Sequence, residues 1–137
     1  MISASIREYM TTDYATIHPD MPVAQAAANL IKKSLLGAPV IDNNGKLVGW
    51  ISDQECLQAT LQVVYHNTRV AIVQDVMQQD VITVNLTSDP LQVAQQMLNA
   101  KPKNYPVLDD EGKVVGVLAR RHILMMLDEK LKELLQL

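Results

Sequence analysis

Residues 37–49 read GAPVIDNNGKLVG, and the same pattern returns at residues 104–116 as NYPVLDDEGKVVG. The interval from residue 37 to residue 104 is the repeat length, and eight identical positions occur between residues 37–57 and 104–124. Ordinary residue frequencies give roughly one identity by chance over such a length. An internal repeat of this kind indicates two copies of one structural unit, and it predicts the architecture before single residues are considered.

The repeat extends beyond these stretches and divides the 137-residue chain into a first copy, residues 1–66, and a second copy, residues 67–137. A lone unit of about 65 residues buries only a modest share of its surface, so we expect the two copies to depend on each other. Around the first helix of each copy the best match is one position longer than the repeat length, which predicts a one-residue slip in the loops. The matched pairs there are Pro22 and Pro90, Ala26 and Ala94, and Leu30 and Leu98.

Each copy shows the order strand, helix, strand, strand, helix. This order predicts a mixed α/β (α+β) fold made of two β-α-β-β-α repeats. Short β-branched runs at residues 15–17 and 81–84 predict the first strands. Asp20 and Ser88 are predicted to cap the helices that follow.

A tight hairpin is predicted at residues 42–45 and again at residues 109–112, because Asp, Asn and Gly tolerate the backbone of short turns. The strands that follow are apolar at almost every position, which indicates that both of their faces are covered. Helices of about residues 53–65 and 120–135 come next, and the second carries an apolar face over three turns. These surfaces together exceed what a monomer exposes, so we predict a homodimer.

Composition and charge narrow the functional classes. Hydrophobic residues make up 48% of the chain, which is enough for a core, and the net charge is −3. An acidic chain lacks the basic face that nucleic-acid binding requires. The single cysteine excludes an intramolecular disulfide and suits a reducing compartment. Because the N-terminus lacks a signal-peptide h-region and no apolar run approaches the ~20 residues of a membrane span, we expect a cytoplasmic protein without membrane contact.

The sequence offers no constellation for catalysis or metal binding. His18, His66 and His122 lie in three separate segments, and none belongs to a metal-ligand or nucleophile motif. Cys56 is interpreted as a small buried residue of a helix. Most of the five glycines are used by the hairpins, which leaves no glycine-rich phosphate loop. We therefore predict a protein that is not an enzyme and that has no metal site and no obligatory cofactor.

A family resemblance rests on the order of motifs in each copy. A short strand with a Thr and a helix precede the sequence x-Pro-Val-h-Asp-x-x-Gly, where h is apolar, and a Gly-h-h strand-to-helix junction follows. Over about residues 5–127 this order closely resembles a tandem pair of CBS domains, a Bateman module. The resemblance implies two units packed pseudo-symmetrically through their sheets, with clefts between them. In the family such clefts often bind AMP, ADP, ATP or S-adenosylmethionine, and the modules usually regulate an enzyme or transporter rather than catalyse.

The resemblance also implies which residues contact a ligand. Ligand-binding members often show Gly-h-h-Thr/Ser-x-x-Asp at the junction, where the Asp takes the ribose hydroxyls. In the first copy Ser52 fits this pattern and Glu55 replaces the Asp; in the second copy Ala119 lacks the hydroxyl and His122 replaces the carboxylate. The predicted ligand-binding residues are Thr16, Ala38, Pro39, Ser52, Glu55, Thr83, Tyr105, Pro106, Arg120, Arg121 and His122.

The two junctions differ in charge. Both open a helix, whose N-terminal amides favour negative charge. Asp53 and Glu55 agree with that dipole, and a structural role alone explains them. Arg120 and Arg121 oppose it, at a cost of about 0.3–1 kcal/mol each in the first turn. A carboxylate partner, good solvation or a bound phosphate would offset this cost, and these alternatives remain open.

Two interpretations of the whole chain follow. The first is a regulatory module that binds an adenosine-containing ligand in the cleft between the copies and signals to a separate protein. The second is a ligand-free homodimeric scaffold, because both junctions depart from the family pattern. Tyr105 either stacks on a base or fills an empty cleft, and Lys101 and Lys103 could reach the same cleft. Because the junctions have diverged, we expect one asymmetric site, or none, rather than two equivalent sites.

Overall fold

A computed structural model describes residues 4–136. The chain divides into two compact units. The first unit comprises Asp13–Val81 together with Gly112–Val114. The second unit comprises the residues up to Thr12, Ile82–Glu111 and the residues from Val115 onward. Each unit therefore contains most of one repeat and a short segment from the other half of the chain.

Helices and strands alternate along the chain, which confirms the mixed α/β class. No helix within residues 4–136 is long and apolar enough to cross a membrane. The elements in chain order are α1 Ile6–Tyr9, α2 Val23–Lys33, β1 Gly37–Ile41, β2 Leu47–Ser52, α3 Asp53–His66, α4 Val73–Val76, β3 Val84–Asn85, α5 Pro90–Asn99, β4 Asn104–Leu108, β5 Val114–Ala119 and α6 Arg120–Leu135.

The first unit is built on the antiparallel pair β1 and β2, with α3 against β2 and α2 against α3. Helix α2 buries Val23, Ala26 and Leu30, which recur at helical spacing and therefore share one face. Cys56 of α3 is buried in the same core, as predicted. Burial raises the pKa of its thiol, and the neighbouring Glu55 carboxylate raises it further. The other buried members of this core are Ala15, Ile17, Ala38, Val40, Ile51 and Val73.

The second unit holds a three-stranded sheet in the order β3, β4, β5, in which β3 runs parallel to β4. Helices α1 and α5 both contact α6. The Tyr9 hydroxyl of α1 donates a hydrogen bond to the Glu129 carboxylate of α6. This bond raises the pKa of Tyr9 to about 12. The buried core consists of Ile6, Val84, Val93, Met97, Tyr105, Val107, Leu118, Ile123 and Met126.

Both predicted hairpin turns are confirmed, and each depends on an Asp and a Gly. The Asp42 carboxylate accepts two backbone N–H bonds within its turn, at 2.8 and 3.0 Å. The Asp109 carboxylate accepts the equivalent bond at 2.9 Å. Gly45 and Gly112 both have a φ of +80°, a backbone conformation that residues with a side chain rarely adopt.

The helices keep the same repeat length as the hairpins, so the predicted one-residue slip is wrong. Leu30 is 2% exposed, whereas Leu98, its predicted match, is 83% exposed. At the unchanged repeat length the buried Leu30 corresponds to the buried Met97, and the exposed Ile31 corresponds to Leu98. The identities at the longer interval are coincidental, because burial depends on which face of the helix packs and not on the residue type alone.

The first strand of each repeat is shorter than predicted. Residues 15–17 contribute only a parallel bridge, in which Ile17 pairs with Val40. In the second repeat the strand is β3, Val84–Asn85, and the earlier part of residues 81–84 lies outside it. β-branched residues favour extended backbone, but a strand also needs a partner at the same register.

The predicted caps Asp20 and Ser88 are wrong. Helix α2 begins directly after Pro22, without a side-chain hydrogen bond to its first turn. Asp89 caps α5 instead, because its carboxylate accepts the N–H of Leu91 at 3.2 Å. Both helices therefore begin slightly later than the capping pattern indicates.

A short segment near the start of each repeat pairs with the sheet in the unit built around the other repeat. Thr11 forms an antiparallel bridge with Val117 in the second unit. Gln78, one repeat length after Thr11, forms the equivalent bridge with Trp50 in the first unit. The helices before these bridges follow the same rule: α1 contacts α6, and α4 contacts β2. The two units thus receive equivalent segments from the opposite halves of the chain.

Two glycines make room for these segments. A Cβ added at Gly49 would lie 2.5 Å from Met77 Sδ and 2.8 Å from the Gln78 carbonyl oxygen. A Cβ added at Gly116 would lie 2.5 Å from Met10 Sδ, and its three nearest atoms all belong to the Met10 side chain. Real Cβ atoms do not approach other atoms this closely, so both positions require glycine for the observed packing.

We expect Gly49→Ala to destabilise the protein more than Gly116→Ala. At Gly49 the new methyl group meets a backbone oxygen, which moves only with its whole segment, whereas at Gly116 it meets a flexible side chain. Overpacking costs about 1–3 kcal/mol, and we place Gly49→Ala at the upper end of this range and Gly116→Ala at the lower end. Urea denaturation of the two matched variants measures the difference. Equal losses, or a larger loss for Gly116→Ala, would contradict it.

Candidate ligand site at the strand-to-helix junctions

The predicted site residues include two equivalent places where a strand runs directly into a helix. The first junction, Gly49–Glu55, joins β2 to α3, and the second junction, Gly116–His122, joins β5 to α6. The N-cap residues, Ser52 and Ala119, both have extended backbone. The first-turn amides of each helix therefore open at the end of a strand, and the two junctions differ only in their side chains.

At the first junction Ser52 and Glu55 form a capping box. The Ser52 backbone N–H donates to Glu55 Oε1 at 3.0 Å, and the Ser52 hydroxyl donates to Glu55 Oε2 at 2.7 Å. The Glu55 backbone N–H donates in return to Ser52 Oγ at 3.4 Å. Gln78 adds a donor from outside the junction, since its Nε2 lies 3.1 Å from Glu55 Oε1. Both carboxylate oxygens of Glu55 are thus engaged within the protein.

These contacts bear on the ribose role that was predicted for Ser52 and Glu55. The Glu55 carboxylate accepts three hydrogen bonds from Ser52 and Gln78, so about one of its roughly four acceptor positions is left for a ribose hydroxyl unless that hydroxyl replaces one of these donors. Exchanging one hydrogen bond for another yields little net free energy. The geometry accounts for both residues as stabilisers of α3, and their contact with a ligand stays a prediction.

At the second junction a histidine replaces the carboxylate in the equivalent hydrogen bond. The Ala119 backbone N–H donates to His122 Nδ1 at 2.9 Å. Because an accepting Nδ1 carries no proton, the proton of the neutral imidazole sits on Nε2. Burial lowers the pKa of His122, and the charge of the neighbouring Arg121 lowers it further. His122 therefore favours the neutral form and keeps its Nε2 N–H as a donor.

The start of α6 lacks the side-chain acceptor that Ser52 supplies to α3. Ala119 has only a methyl group, so this N-cap residue offers no side-chain acceptor to the first-turn N–H groups. The Arg120 N–H has a backbone partner, the Lys103 carbonyl oxygen at 3.0 Å. The following amides lie at the positive end of the helix dipole without a capping side chain, which is a favourable position for an anion. Lys101 and Lys103 are both exposed in the loop that precedes β4.

The two neighbouring arginines of the second junction have different surroundings. Both side chains are exposed, and neither forms an ion pair within residues 4–136. Arg120 lines an apolar groove between α5 and α6. Arg121 lies near enough to His122 to influence the pKa of its imidazole. Arg121 is thus the arginine whose charge acts on the His122 imidazole.

Tyr105 belongs to the core of the second unit. Its side chain is 1% exposed, and its hydroxyl donates to the Pro102 carbonyl oxygen at 2.6 Å. Burial raises the pKa of the hydroxyl, and the charge of Arg120 opposes this rise. Of the two roles predicted for the ring, this placement agrees with filling space. Because the Tyr105 ring is buried, a ligand at this place would contact the backbone of Tyr105 and Pro106.

The other predicted residues lie on neighbouring strand positions. In the first unit the register pairs Gly37 with Ser52, which brings Ala38 and Pro39 next to the first junction. Thr16 is exposed on the adjoining segment. In the second unit Thr83 comes directly before β3, which pairs in parallel with β4, so Thr83 lies beside the start of the β4 pairing.

Gln78 is a contact of the first junction that the sequence did not predict. It lies 23 residues after Glu55 and follows the repeat boundary, so no local motif connects the two residues. Its bridge with Trp50 brings its amide to the junction. The spacing offered a signal, because Thr11 and Gln78 stand at the same position of the repeat. That signal predicts the contact only if each unit pairs with a segment from the opposite half of the chain.

The arrangement has chemical consequences. Acidic side chains, Asp53 and Glu55, stand at the first junction, and basic side chains, Arg120 and Arg121, stand at the second. Within residues 4–136 no group of three or more His, Cys, Asp or Glu residues could hold a metal ion. The Cys56 thiol is buried with a raised pKa, which disfavours the nucleophilic thiolate. The geometry therefore suits anion binding at the second junction.

The chain is similar to known proteins in sequence and in fold. The CBS domain family matches the chain twice, at residues 6–61 and 73–129. The CBS-pair protein CBSX2 from Arabidopsis thaliana, solved in complex with AMP, is similar with a TM-score of 0.79 and 28% identity, over 93% of this chain and 98% of that chain. The CBS domain pair of protein MJ0100, solved with 5′-methylthioadenosine and S-adenosyl-L-methionine, is similar with a TM-score of 0.76 and 27% identity, over 93% of this chain and 98% of that chain.

Similar regions also occur within longer proteins. Inosine-5′-monophosphate dehydrogenase from Methanocaldococcus jannaschii is 29% identical over 117 residues, which are 85% of this chain and 22% of the dehydrogenase. L-aspartate semialdehyde sulfurtransferase from the same organism matches over 22% of its length as well. The chain therefore spans about a fifth of the length of these two relatives.

We expect the stability of the protein to fall on acidification in a way that depends on His122. Because the folded-state pKa of His122 lies below its ordinary value of about 6.5, the unfolded chain binds the proton first as the pH falls through that value. The free energy of unfolding then decreases as the pH falls further. His122→Gln keeps an acceptor for Ala119 but does not titrate, so it should lose less stability between pH 7 and pH 5 than the wild type.

Urea denaturation at the two pH values measures this difference. His66→Gln, which removes an exposed imidazole at the end of α3, is the matched control. Equal losses for the wild type and His122→Gln would contradict the expectation.

Proposed function

We propose that the chain is a non-catalytic regulatory module that binds an adenosine-containing ligand. This proposal starts from the fact that the chain belongs to the CBS domain family and carries one CBS domain in each repeat. The candidate ligands are AMP, ADP, ATP and S-adenosylmethionine. The binding state is passed to a separate protein, for which the chain acts as a sensor. Two similar CBS pairs, one solved with AMP and one with S-adenosyl-L-methionine, support this class of ligand.

The observation that carries the proposal is the open start of α6 beside Arg121. Ala119 supplies no capping oxygen, and Arg121 is an exposed cation without an ion-pair partner among the described residues. A phosphate there would accept the first-turn N–H groups and pair with the guanidinium at the same time. The bound anion would also offset the unfavourable position of arginine at the positive end of the helix dipole.

His122 contributes a second, neutral donor in this proposal. Its Nδ1 is held by the Ala119 N–H, so Nε2–H is the donor left for a phosphate or ribose oxygen. The lowered pKa of His122 favours the neutral imidazole, and the bond from Ala119 selects the tautomer that carries its proton on Nε2. The backbone near Thr83, Tyr105 and Pro106 is the proposed contact for the adenine edge.

The proposal assigns the two junctions unequal roles. Ser52, Glu55 and Gln78 already satisfy one another at the first junction. The second junction has an uncapped helix start and cationic side chains. We therefore propose one anion-binding site, at the second junction, in place of two equivalent nucleotide sites.

A ligand-free homodimeric scaffold is the alternative function. The closed capping box of the first junction and the buried ring of Tyr105 favour it, because both use predicted ligand contacts for internal packing. The two functions differ in whether adenosine compounds bind at all, so a direct binding measurement separates them.

We expect isothermal titration calorimetry to detect binding of at least one ligand among AMP, ADP, ATP and S-adenosylmethionine. For a phosphate-containing ligand, Arg121→Ala should weaken binding by about 10- to 100-fold, the range for losing a charge-assisted hydrogen bond. Arg7→Ala, an exposed arginine of the same unit outside the junction, is the matched control and should bind like the wild type. No heat and no thermal shift with any of the four compounds at millimolar concentration would favour the scaffold.

We also propose that the chain is a homodimer. Several large apolar side chains of the long helices are exposed in the single chain, among them Ile31, Leu57, Leu98 and Leu124. Light scattering at micromolar concentration should give the mass of two chains, and the mass of one chain would contradict the proposal.

A further inference from the structure

A methionine covers a glycine of the sheet at the same repeat position in each unit. Met10 packs over Gly116, and Met77, one repeat length after Met10, packs over Gly49. The three atoms nearest to a Cβ built at Gly116 are Sδ, Cγ and Cε of Met10, at 2.5, 2.9 and 3.1 Å. At Gly49 the nearest atom is Met77 Sδ, at 2.5 Å. In both units the thioether therefore occupies the space that a side chain at the glycine would fill.

Both methionines belong to the short segments that pair with the sheets. The residue after Met10 exchanges two backbone hydrogen bonds with Val117, at 2.9 Å each. The residue after Met77 exchanges the equivalent bonds with Trp50, at 2.8 and 2.9 Å. The methionine side chain thus adds close apolar packing to the backbone pairing that holds its segment on the sheet.

The methionines of the chain differ in how far an oxidant in solution can reach them. Met10 and Met77 are half-buried, and each packs against the core of its own unit. Met125 is 49% exposed, whereas Met97 and Met126 are 5% and 2% exposed. Because oxidation of a thioether requires contact with the oxidant, we expect Met125 to react first, Met10 and Met77 next, and the two buried residues last.

A two-electron oxidant such as hydrogen peroxide converts a methionine to its sulfoxide. A sulfur lone pair attacks one peroxide oxygen, so that an S–O bond forms as the O–O bond breaks. The departing hydroxide takes the proton of the transferred oxygen and leaves as water. The sulfur is oxidised by two electrons, and a flexible apolar side chain becomes a polar one. The Cys56 thiol competes poorly, because it is buried and its raised pKa disfavours the thiolate.

The contacts at the two glycines favour a thioether over a sulfoxide. The sulfur already lies against the glycine, so an oxygen on that side requires the segment to shift. At Gly49 the oxygen would also approach the Gln78 carbonyl oxygen, which is an acceptor and not a donor. An oxygen on the outer side draws the sulfur toward water, because a polar group without a hydrogen bond is costly in a packed apolar contact.

We propose that Met10 and Met77 are sites of reversible oxidation, and that their sulfoxides loosen the two segments from their sheets. This inference is independent of the proposed ligand and of the proposed homodimer. Loosening of the first unit's segment would withdraw the Gln78 amide from Glu55. Loosening of the second unit's segment would uncover the strand that leads into the second junction. Methionine sulfoxide reductases, which return the sulfoxide to the thioether, would restore both.

Urea denaturation before and after peroxide treatment tests the proposal. For the wild type we expect the unfolding equilibrium constant to rise about tenfold for each sulfoxide, the scale of an unpaired polar group in an apolar contact. Met10→Leu/Met77→Leu keeps the apolar volume without an oxidisable sulfur and should change little. Met125→Leu removes an exposed methionine outside both segments and, as the matched control, should lose stability like the wild type. Equal losses for the wild type and the double variant would overturn the proposal.

Hydrogen exchange of the oxidised wild type gives a readout that does not depend on how well the leucine variants fold. The amides of the two backbone pairings should exchange faster after oxidation, and these belong to Thr11, Val117, Trp50 and Gln78. The amide of Leu86, which bonds within the second unit away from both segments, is the internal control. Unchanged exchange at the four amides, with both methionines oxidised, would overturn the proposal.

Peptide mapping by mass spectrometry connects these changes to particular residues. The loss of stability should follow the oxidised fraction of Met10 and Met77, and not that of Met125 or of the half-buried Met21, which lies in neither segment. Methionine sulfoxide reductases of both stereospecificities, with dithiothreitol, should restore stability and exchange. The proposal is wrong if Met10 and Met77 stay reduced as long as the protein is folded, or if complete reduction does not restore stability.

Discussion

In each unit a methionine packs closely over a glycine of the sheet, and at Gly49 a backbone oxygen approaches as well. Met77 packs over Gly49, and Met10 packs over Gly116 in the equivalent way. These contacts let a short segment from the opposite half of the chain pair with the sheet. The segments also deliver buried side chains, Ile6 to the core of the second unit and Val73 to the core of the first. Neither core is therefore complete with residues of its own repeat alone, which gives a physical reason for two copies in one chain.

The two strand-to-helix junctions have similar backbone conformations but different side chains. At the first junction the carboxylate of Glu55 closes on Ser52 and accepts a further bond from Gln78. At the second junction His122 accepts the single bond from Ala119, and the first turn of α6 has no capping side chain among the described residues. The same positions therefore stabilise one helix internally and leave the other open to an anion from outside.

Asp53 and Arg120 carry opposite charges at equivalent positions, and this difference affects the grooves between the helices. Both residues line apolar grooves between helices, whereas Arg121 stays with His122. The copies have thus diverged in two places, at their junctions and in the grooves between their helices. Apolar residues line both grooves, while the single charged residue in each has the opposite sign.

Local signals account for what the sequence by itself determined. The hairpins at 42–45 and 109–112, the helices that begin at Asp53 and Arg120, and the burial of Cys56 follow from turn residues and apolar periodicity within a few positions. The internal repeat identified the architecture for the same reason. The alignment of the two repeats was wrong where residue identity and burial disagree. Leu98 matches Leu30 in type but lies on the exposed face of its helix.

Only the tertiary structure decided how the site residues are used. Gln78 bonds to Glu55 from a distant part of the chain, and Tyr105 buries its ring in the core. Arg120 lines the groove between α5 and α6, whereas its neighbour Arg121 does not. Each of these outcomes depends on which distant segment occupies the space around a side chain. Residue type and spacing limit what a position can do, but the packing around it determines which groups remain free to meet a ligand.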